Sequence, residues 1–254
     1  MSKSVKIIEC PRDAMQGIKT FIPTQQKIQY IQSLLRIGFD TIDFGSFVSP
    51  KAIPQMADTS EVLANLDLSK TESKLLAIVA NTRGAIDASQ HLEIDYLGFP
   101  FSISENFQMR NTHKTIAQSV VTLQEILDIA DRKCKRVVAY LSMGFGNPYG
   151  DPWNVEVVAQ WTERLSKMGV EILSLSDTIG SSTPETINYL FTNLIPNHLS
   201  ITGLDFLFGI SPPIMNIDSS SFKFSSHMVS NKTSPQCPKE KTSPIASNSL
   251  NIAI

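Results

Sequence analysis

Short apolar runs alternate with amphipathic stretches along most of this chain. Val5 to Ile8 predicts a buried strand, and Pro23-Thr24 opens a helix whose apolar face is Ile28, Ile31, Leu34 and Leu35, ended by Gly38. Asp40 to Phe44 follows as a strand. Pro54 to Leu66 reads as a helix with Met56, Val62, Leu63 and Leu66 inward. Leu75 to Val79 is a third strand, Ala85 to His91 a short helix, and Ile94 to Phe99 a fourth strand. Thr115 to Asp131 carries a strong helical period (Ile116, Val120, Leu123, Ile126, Leu127), and Val137 to Leu141 is a fifth strand. Asp151-Pro152 has the form of an N-cap with proline first, before a stripe of Val155, Val158, Trp161 and Leu165. Val170 to Leu175 is a sixth strand, and Thr183-Pro184 caps a helix running through Leu194.

Six rounds of strand then helix predict an α/β fold with a parallel sheet under covering helices. Polar residues gather after the strands: Arg12-Asp13, Asp43 with Ser46, Asn81-Thr82-Arg83, Ser102 to Asn106, Ser142 to Tyr149, and Ser176-Asp177-Thr178. That is the pattern of a (β/α)8 barrel with its site at the carboxyl ends of the strands. A doubly wound sheet would carry a glycine-rich phosphate turn after its first strand, and none is present. The pattern stops beyond about residue 200: residues 211–250 hold 11 Ser and 5 Pro, and no glycine follows Gly209. The expectation is an incomplete barrel of about six to seven units over residues 1–200, then an irregular Ser/Pro-rich tail over 201–254. Leu204 to Ile210 offers one further strand. Open edges on the first and last strands would make such a domain unstable.

A length of 254 residues suits a single barrel, and a hydrophobic fraction of 42% supports its core. With 22 basic and 24 acidic residues, nothing points to nucleic acid. No apolar run approaches membrane-spanning length, and Met-Ser-Lys-Ser is no signal peptide. Cys10, Cys134 and Cys237 form neither a disulfide framework nor a zinc motif, so a cytoplasmic setting is expected.

The opening stretch Glu9-Cys10-Pro11-Arg12-Asp13 carries the candidate chemistry. Arg12 supplies a permanent cation with a planar donor fork and Asp13 a hard oxygen ligand, a pair able to hold a metal-bound oxyanion. An ordinary ion pair closing a loop is the alternative. Asp43 reads as a site carboxylate, with a helix cap as the alternative, and Ser46 as a site hydroxyl or a turn former. Asp177 and Thr178 read as polar site residues or as an Asx turn. His113 reads as a solvated helix-start residue.

Four stretches resemble one family, the hydroxymethylglutaryl-CoA lyases, within the metal-dependent barrel lyases and Claisen-type condensing enzymes. They are E-C-P-R-D-A-M-Q at Glu9–Gln16, S-F-V-S-P-K-A-I-P-Q-M at Ser46–Met56, Y-L-S-M-G-F-G-N-P-Y-G at Tyr140–Gly150, and S-L-S-D-T-I-G-S-S-T-P at Ser174–Pro184. They lie in order at the spacing of successive barrel units, over about residues 3 to 195. The resemblance implies retro-Claisen cleavage of 3-hydroxy-3-methylglutaryl-CoA to acetyl-CoA and acetoacetate in leucine breakdown, with Mg²⁺ or Mn²⁺ as cofactor. It implies Arg12 as the group stabilising the enolate, Asp13 as a metal ligand, and Gln16 and Lys19 as contacts to substrate and its CoA portion. Asp43 stands where the lyases carry a site glutamate, and Ser46, Asp177 and Thr178 match polar site positions. Asn147 stands where many lyases have a cysteine. An acyl-CoA is the expected partner, no membrane or nucleic acid is, and a homodimer is compatible with the reading. On this basis Arg12→Met is expected to remove turnover with little effect on folding.

Departures accompany the matches. The family's seventh strand ends in a His-x-His pair where this chain reads Leu204-Asp205-Phe206, and the later G-G-C-P loop and a metal-binding asparagine are absent; Cys237-Pro238 is only an echo. The alternative is therefore a catalytically inactive truncated or frame-shifted derivative, and a third reading is another aldol or Claisen enzyme on the same barrel. The Ser46–Lys51 loop favours the lyase branch. The abrupt change near residue 200 is what reading a coding sequence out of frame produces, with a splice or a genuine tail as the other origin.

Overall fold

The computed structural model describes residues 6–194, 201–206 and 251–253. Eight parallel strands form a closed ring in chain order. They are β1 (Lys6–Glu9), β2 (Thr41–Ser46), β3 (Lys74–Ile78), β4 (Ile94–Ser102), β5 (Arg136–Ser142), β6 (Ile172–Asp177), β7 (Ile201–Phe206) and β8 (Asn251–Ala253). The helices of the described units are α1 (Pro11–Gln16), α2 (Thr24–Ile37), α3 (Thr59–Ala64), α4 (Thr82–Ser89), α5 (Glu105–Thr112), α6 (Ile116–Arg132), α7 (Val155–Lys167) and α8 (Pro184–Leu194), with a 3-10 turn at Pro54–Met56. Strand–helix alternation thus covers six units, as the periodicity predicts.

The ring differs from the open edges expected of it. β8 pairs with β1 through Lys6, Ile7 and Ile8, and with β7 through Gly203, Leu204 and Asp205, so a three-residue strand bridges the gap. Both β7 and β8 fall in the stretch expected to be an irregular tail. Most of that stretch, 207–250, lies outside the described residues, as does the Cys237-Pro238 echo.

Side chains alternate across each strand. On β6, Leu173 and Leu175 pack outward against the helices, in a cluster with Leu97, Phe99 and Phe101 of β4 and Leu123 and Ile126 of α6. Ile172 turns into the lumen, with Leu76 and Ile78 of β3, Tyr96 of β4, and Val138 and Tyr140 of β5. Higher in the lumen the residue types change to Ser174 and Ser176, both buried. The barrel is filled by apolar side chains at mid-height and polar ones toward the carboxyl ends.

Gly98 makes this packing possible. A Cβ there would come within 2.6 Å of Ile78 Cδ1 and 3.0 Å of Tyr140 Cε2. Gly98→Ala is expected to cost about 1–3 kcal/mol through overpacking, read from chemical denaturation. A variant as stable as the parent would show that the lumen has slack.

Several expected elements shift, each for a local reason. The stretch Pro54 to Leu66 divides into the 3-10 turn and α3, with Asp58 at the N-cap of α3 (φ −100°, ψ 14°) and its carboxylate bonded to Lys27 and Thr24. Asp151 does not cap α7. Asn154 does, accepting from Val157 N at 2.8 Å, while Asp151 accepts from the Ser104 hydroxyl and from Asn106 N. Those bonds hold the Asp151 carboxyl below its usual range, the serine hydroxyl first. His113 ends α5 in a left-handed conformation (φ 55°) and starts no helix. Thr115 caps α6 through a reciprocal box with Gln118. On α2 Ile31, Leu34 and Leu35 are buried and Ile28 packs half-buried against the core, as expected, while Lys27 is buried as well.

Candidate active site

β1 ends at Glu9, and Pro11 starts α1 at once, its fixed φ suiting the first helical turn. One turn of helix puts Arg12 and Gln16 four residues apart on the same face, beside Asp13. Arg12 reaches across to Asp43 on β2, which is 0% exposed. Its Nε donates to both Asp43 oxygens, at 3.2 and 3.1 Å, and its Nη2 to Oδ2 at 2.5 Å. Nη1 donates to Asp13 Oδ1 at 2.8 Å and to Gln16 Oε1 at 3.1 Å. Gln16 Nε2 completes the circuit to Asp13 Oδ1 at 2.9 Å.

This is a fork-on-carboxylate pair taken out of water, where each charge needs the other. Burial works against the Arg12 charge, but Asp43, then Asp13 and Tyr140, more than offset it and raise its pKa above the ordinary value. For Asp43, burial raises the carboxyl, an effect that Arg12 opposes and Asp13 adds to. The product is a rigid cation at the mouth of the lumen, beside Tyr140.

The remaining candidate residues are placed differently. Ser46, buried at the end of β2, accepts from Val48 N at 3.1 Å and donates to Ile78 O at 3.4 Å. Asp177 accepts from Ser181 N (2.8 Å) and Ser182 N (3.0 Å), the Asx-turn alternative. Thr178 accepts from the backbone N of Met143, a residue held at φ 62° just beyond β5. Asn147 accepts from Tyr149 N and Asp151 N and so shapes its own loop. Lys19 is exposed on the segment after α1. The structure thus joins Arg12, Asp13, Gln16 and Asp43 in one network, sets Ser46, Asp177 and Thr178 as loop-building residues at the rim, and leaves Lys19 at the outer edge. Tyr140, Ser174 and Ser176 were missed as lumen residues. Their period-two spacing on β5 and β6 was the available signal.

Among the described residues the donor set does not by itself fit a resident divalent cation. Asp13 Oδ1 is engaged by Arg12 and Gln16, and both Asp43 oxygens by Arg12. Among the described residues no group of three or more His, Cys, Asp and Glu side chains comes together. A single carboxylate holds a hard cation weakly.

A closed parallel α/β barrel with a buried guanidinium–carboxylate network at the carboxyl ends of its strands defines a barrel protein of the enzyme type, with its site at that end. Comparison with known proteins makes the class specific. The HMGL-like family model matches residues 5–202, and the chain belongs to that family. Hydroxymethylglutaryl-CoA lyase YngG of Bacillus subtilis is 34% identical over 194 residues, 76% of this chain and 64% of that enzyme. Among solved structures, the Bacillus subtilis HMG-CoA lyase superposes with a TM-score of 0.73 at 32% identity, over 81% of this chain and 68% of that one. An HMG-CoA lyase from Acinetobacter baumannii, solved with coenzyme A and 3-methylmalate, gives 0.73 at 28%, over 80% and 65%. The chain spans less than two thirds of the length of the curated relatives it matches.

Proposed function

We propose that this chain is a hydroxymethylglutaryl-CoA lyase-like protein, acting on an acyl-CoA by retro-Claisen cleavage of 3-hydroxy-3-methylglutaryl-CoA to acetyl-CoA and acetoacetate. The buried Arg12–Asp43 pair carries the reading. Cleavage breaks a carbon–carbon bond and leaves its electron pair as an enolate on the thioester oxygen, and a preorganised guanidinium stabilises such charge as it forms. In this reading Arg12 faces that oxygen, Asp43 holds Arg12, and Gln16 and Asp13 orient the acyl group. Lys19 attends the CoA portion, and Ser46, Asp177 and Thr178 shape the pocket rim. Residues 1–200 form the lyase domain and 201–254 a divergent tail, a division supported by the family match ending at residue 202. The cytoplasm is the proposed setting, and no helix among the described residues is long and apolar enough to cross a membrane.

The reaction as the family performs it uses Mg²⁺ or Mn²⁺, and the incomplete donor set favours a second reading, a catalytically inactive derivative that still binds the thioester. Purified protein incubated with the substrate, with and without Mn²⁺, separates them. Acetoacetate released only with metal supports the lyase. Thioester binding without acetoacetate under either condition leaves the inactive reading.

A further inference from the structure

We infer that Gln55, backed by Lys27 and Asp58, is a positioning residue for the CoA end of this site, an inference that rests on the acyl-CoA reading above. The segment between α1 and α2 has no regular secondary structure, yet its backbone is pinned from one side. Gln55, 4% exposed in the 3-10 turn, accepts from Ile22 N at 2.8 Å and donates to Ile18 O at 2.9 Å and Thr20 O at 3.0 Å. One amide thus fixes three points of a five-residue stretch. Behind it, Lys27 is 2% exposed; it donates to the Gln55 carbonyl and to Asp58 Oδ1 (2.7 Å), and lies 4.1 Å from the Phe21 ring centroid. Asp58 Oδ2 in turn accepts from Thr24 at 2.8 Å.

A buried lysine ion pair and a fully used buried amide are costly unless geometry is their return. What they hold in place is an exposed surface: Ile18, Lys19 and Phe21 all project outward. An ammonium flanked by two exposed apolar side chains suits a ligand that joins phosphate groups to an apolar arm, which is the chemistry of coenzyme A. The same stretch follows directly on the turn bearing Arg12, Asp13 and Gln16. Gln55 therefore couples the place of the nucleotide end to the place of the reacting end.

Gln55→Leu keeps the buried volume and removes all three bonds. With unreactive coenzyme A as probe, calorimetry is expected to read about tenfold weaker binding. The affinity for free 3-hydroxy-3-methylglutarate, which does not extend to this segment, stays as in the parent. Trypsin cleavage after Lys19 becomes faster in the same variant. Gln55→Glu sets a carboxylate against two carbonyl oxygens and is expected to weaken coenzyme A at least as much, so the question remains decidable if the leucine variant fails to fold. Parent-like coenzyme A binding by either folded variant overturns the inference and leaves the lyase reading intact. No binding of coenzyme A by the parent chain overturns both.

Discussion

Arg12→Met is expected to remove about 3–5 kcal/mol of folding stability along with activity. The expectation from sequence was lost turnover with folding intact, and the buried network reverses its second half. Asp43 is fully buried, and its oxygens accept from two nitrogens of Arg12. Methionine fills the space but strands a carboxylate in the barrel, and Asp43 must then protonate or draw in water. The remedy identifies the cause. Adding Asp43→Leu to Arg12→Met should restore most of the stability without restoring chemistry, because the buried pair is then gone from both sides. Urea denaturation of the single and double variants measures this, and a single variant within about 1 kcal/mol of the parent would mean that the pair is solvated.

Phe101→Ala is expected to cost about 3–5 kcal/mol for a different reason. Phe101 is 0% exposed on the outer face of β4, and its ring lies 5.1 Å from that of Trp161 on α7. Alanine leaves a cavity between sheet and helix and removes the ring pair, itself worth about 0.5–1.5 kcal/mol. Phe101→Leu should recover most of the loss. Trp161 fluorescence reports the transition directly, and an alanine variant with an unshifted midpoint would contradict the packing described.

The strands were legible because apolar runs bounded by polar clusters have few alternatives: five of the six expected ones fall within two residues of their bounds, and β4 runs three residues past Phe99. α1 was not legible because six residues are too few for a period to register, although Pro11 at its first position was a usable sign. β8 was illegible: three residues carry no pattern, and only register with β1 and β7 defines it. In the site, Arg12, Asp13 and Gln16 were legible as neighbours on the segment that follows the first strand. The Arg12–Asp43 pair spans 31 positions, and no local rule reaches that far. Lys27 shows the limit most plainly. It is buried on α2 with Ile31, Leu34 and Leu35, and nothing local marks it as inward, because its partner, Asp58, sits on another element.

The join between β1 and its neighbours bears on the order of assembly. β1 is registered with β2 at two positions and with β8 at three, whereas β4 and β5 share seven. One seam joins segments adjacent in the chain; the other joins its two extremes, the most distant loop closure among the described strands. The strand that delivers Arg12 is thus the least firmly sewn in, and half of its stitching waits for the end of the chain. Amide protons along Lys6–Glu9 then exchange through a local parting of that seam, long before the β4–β5 centre opens.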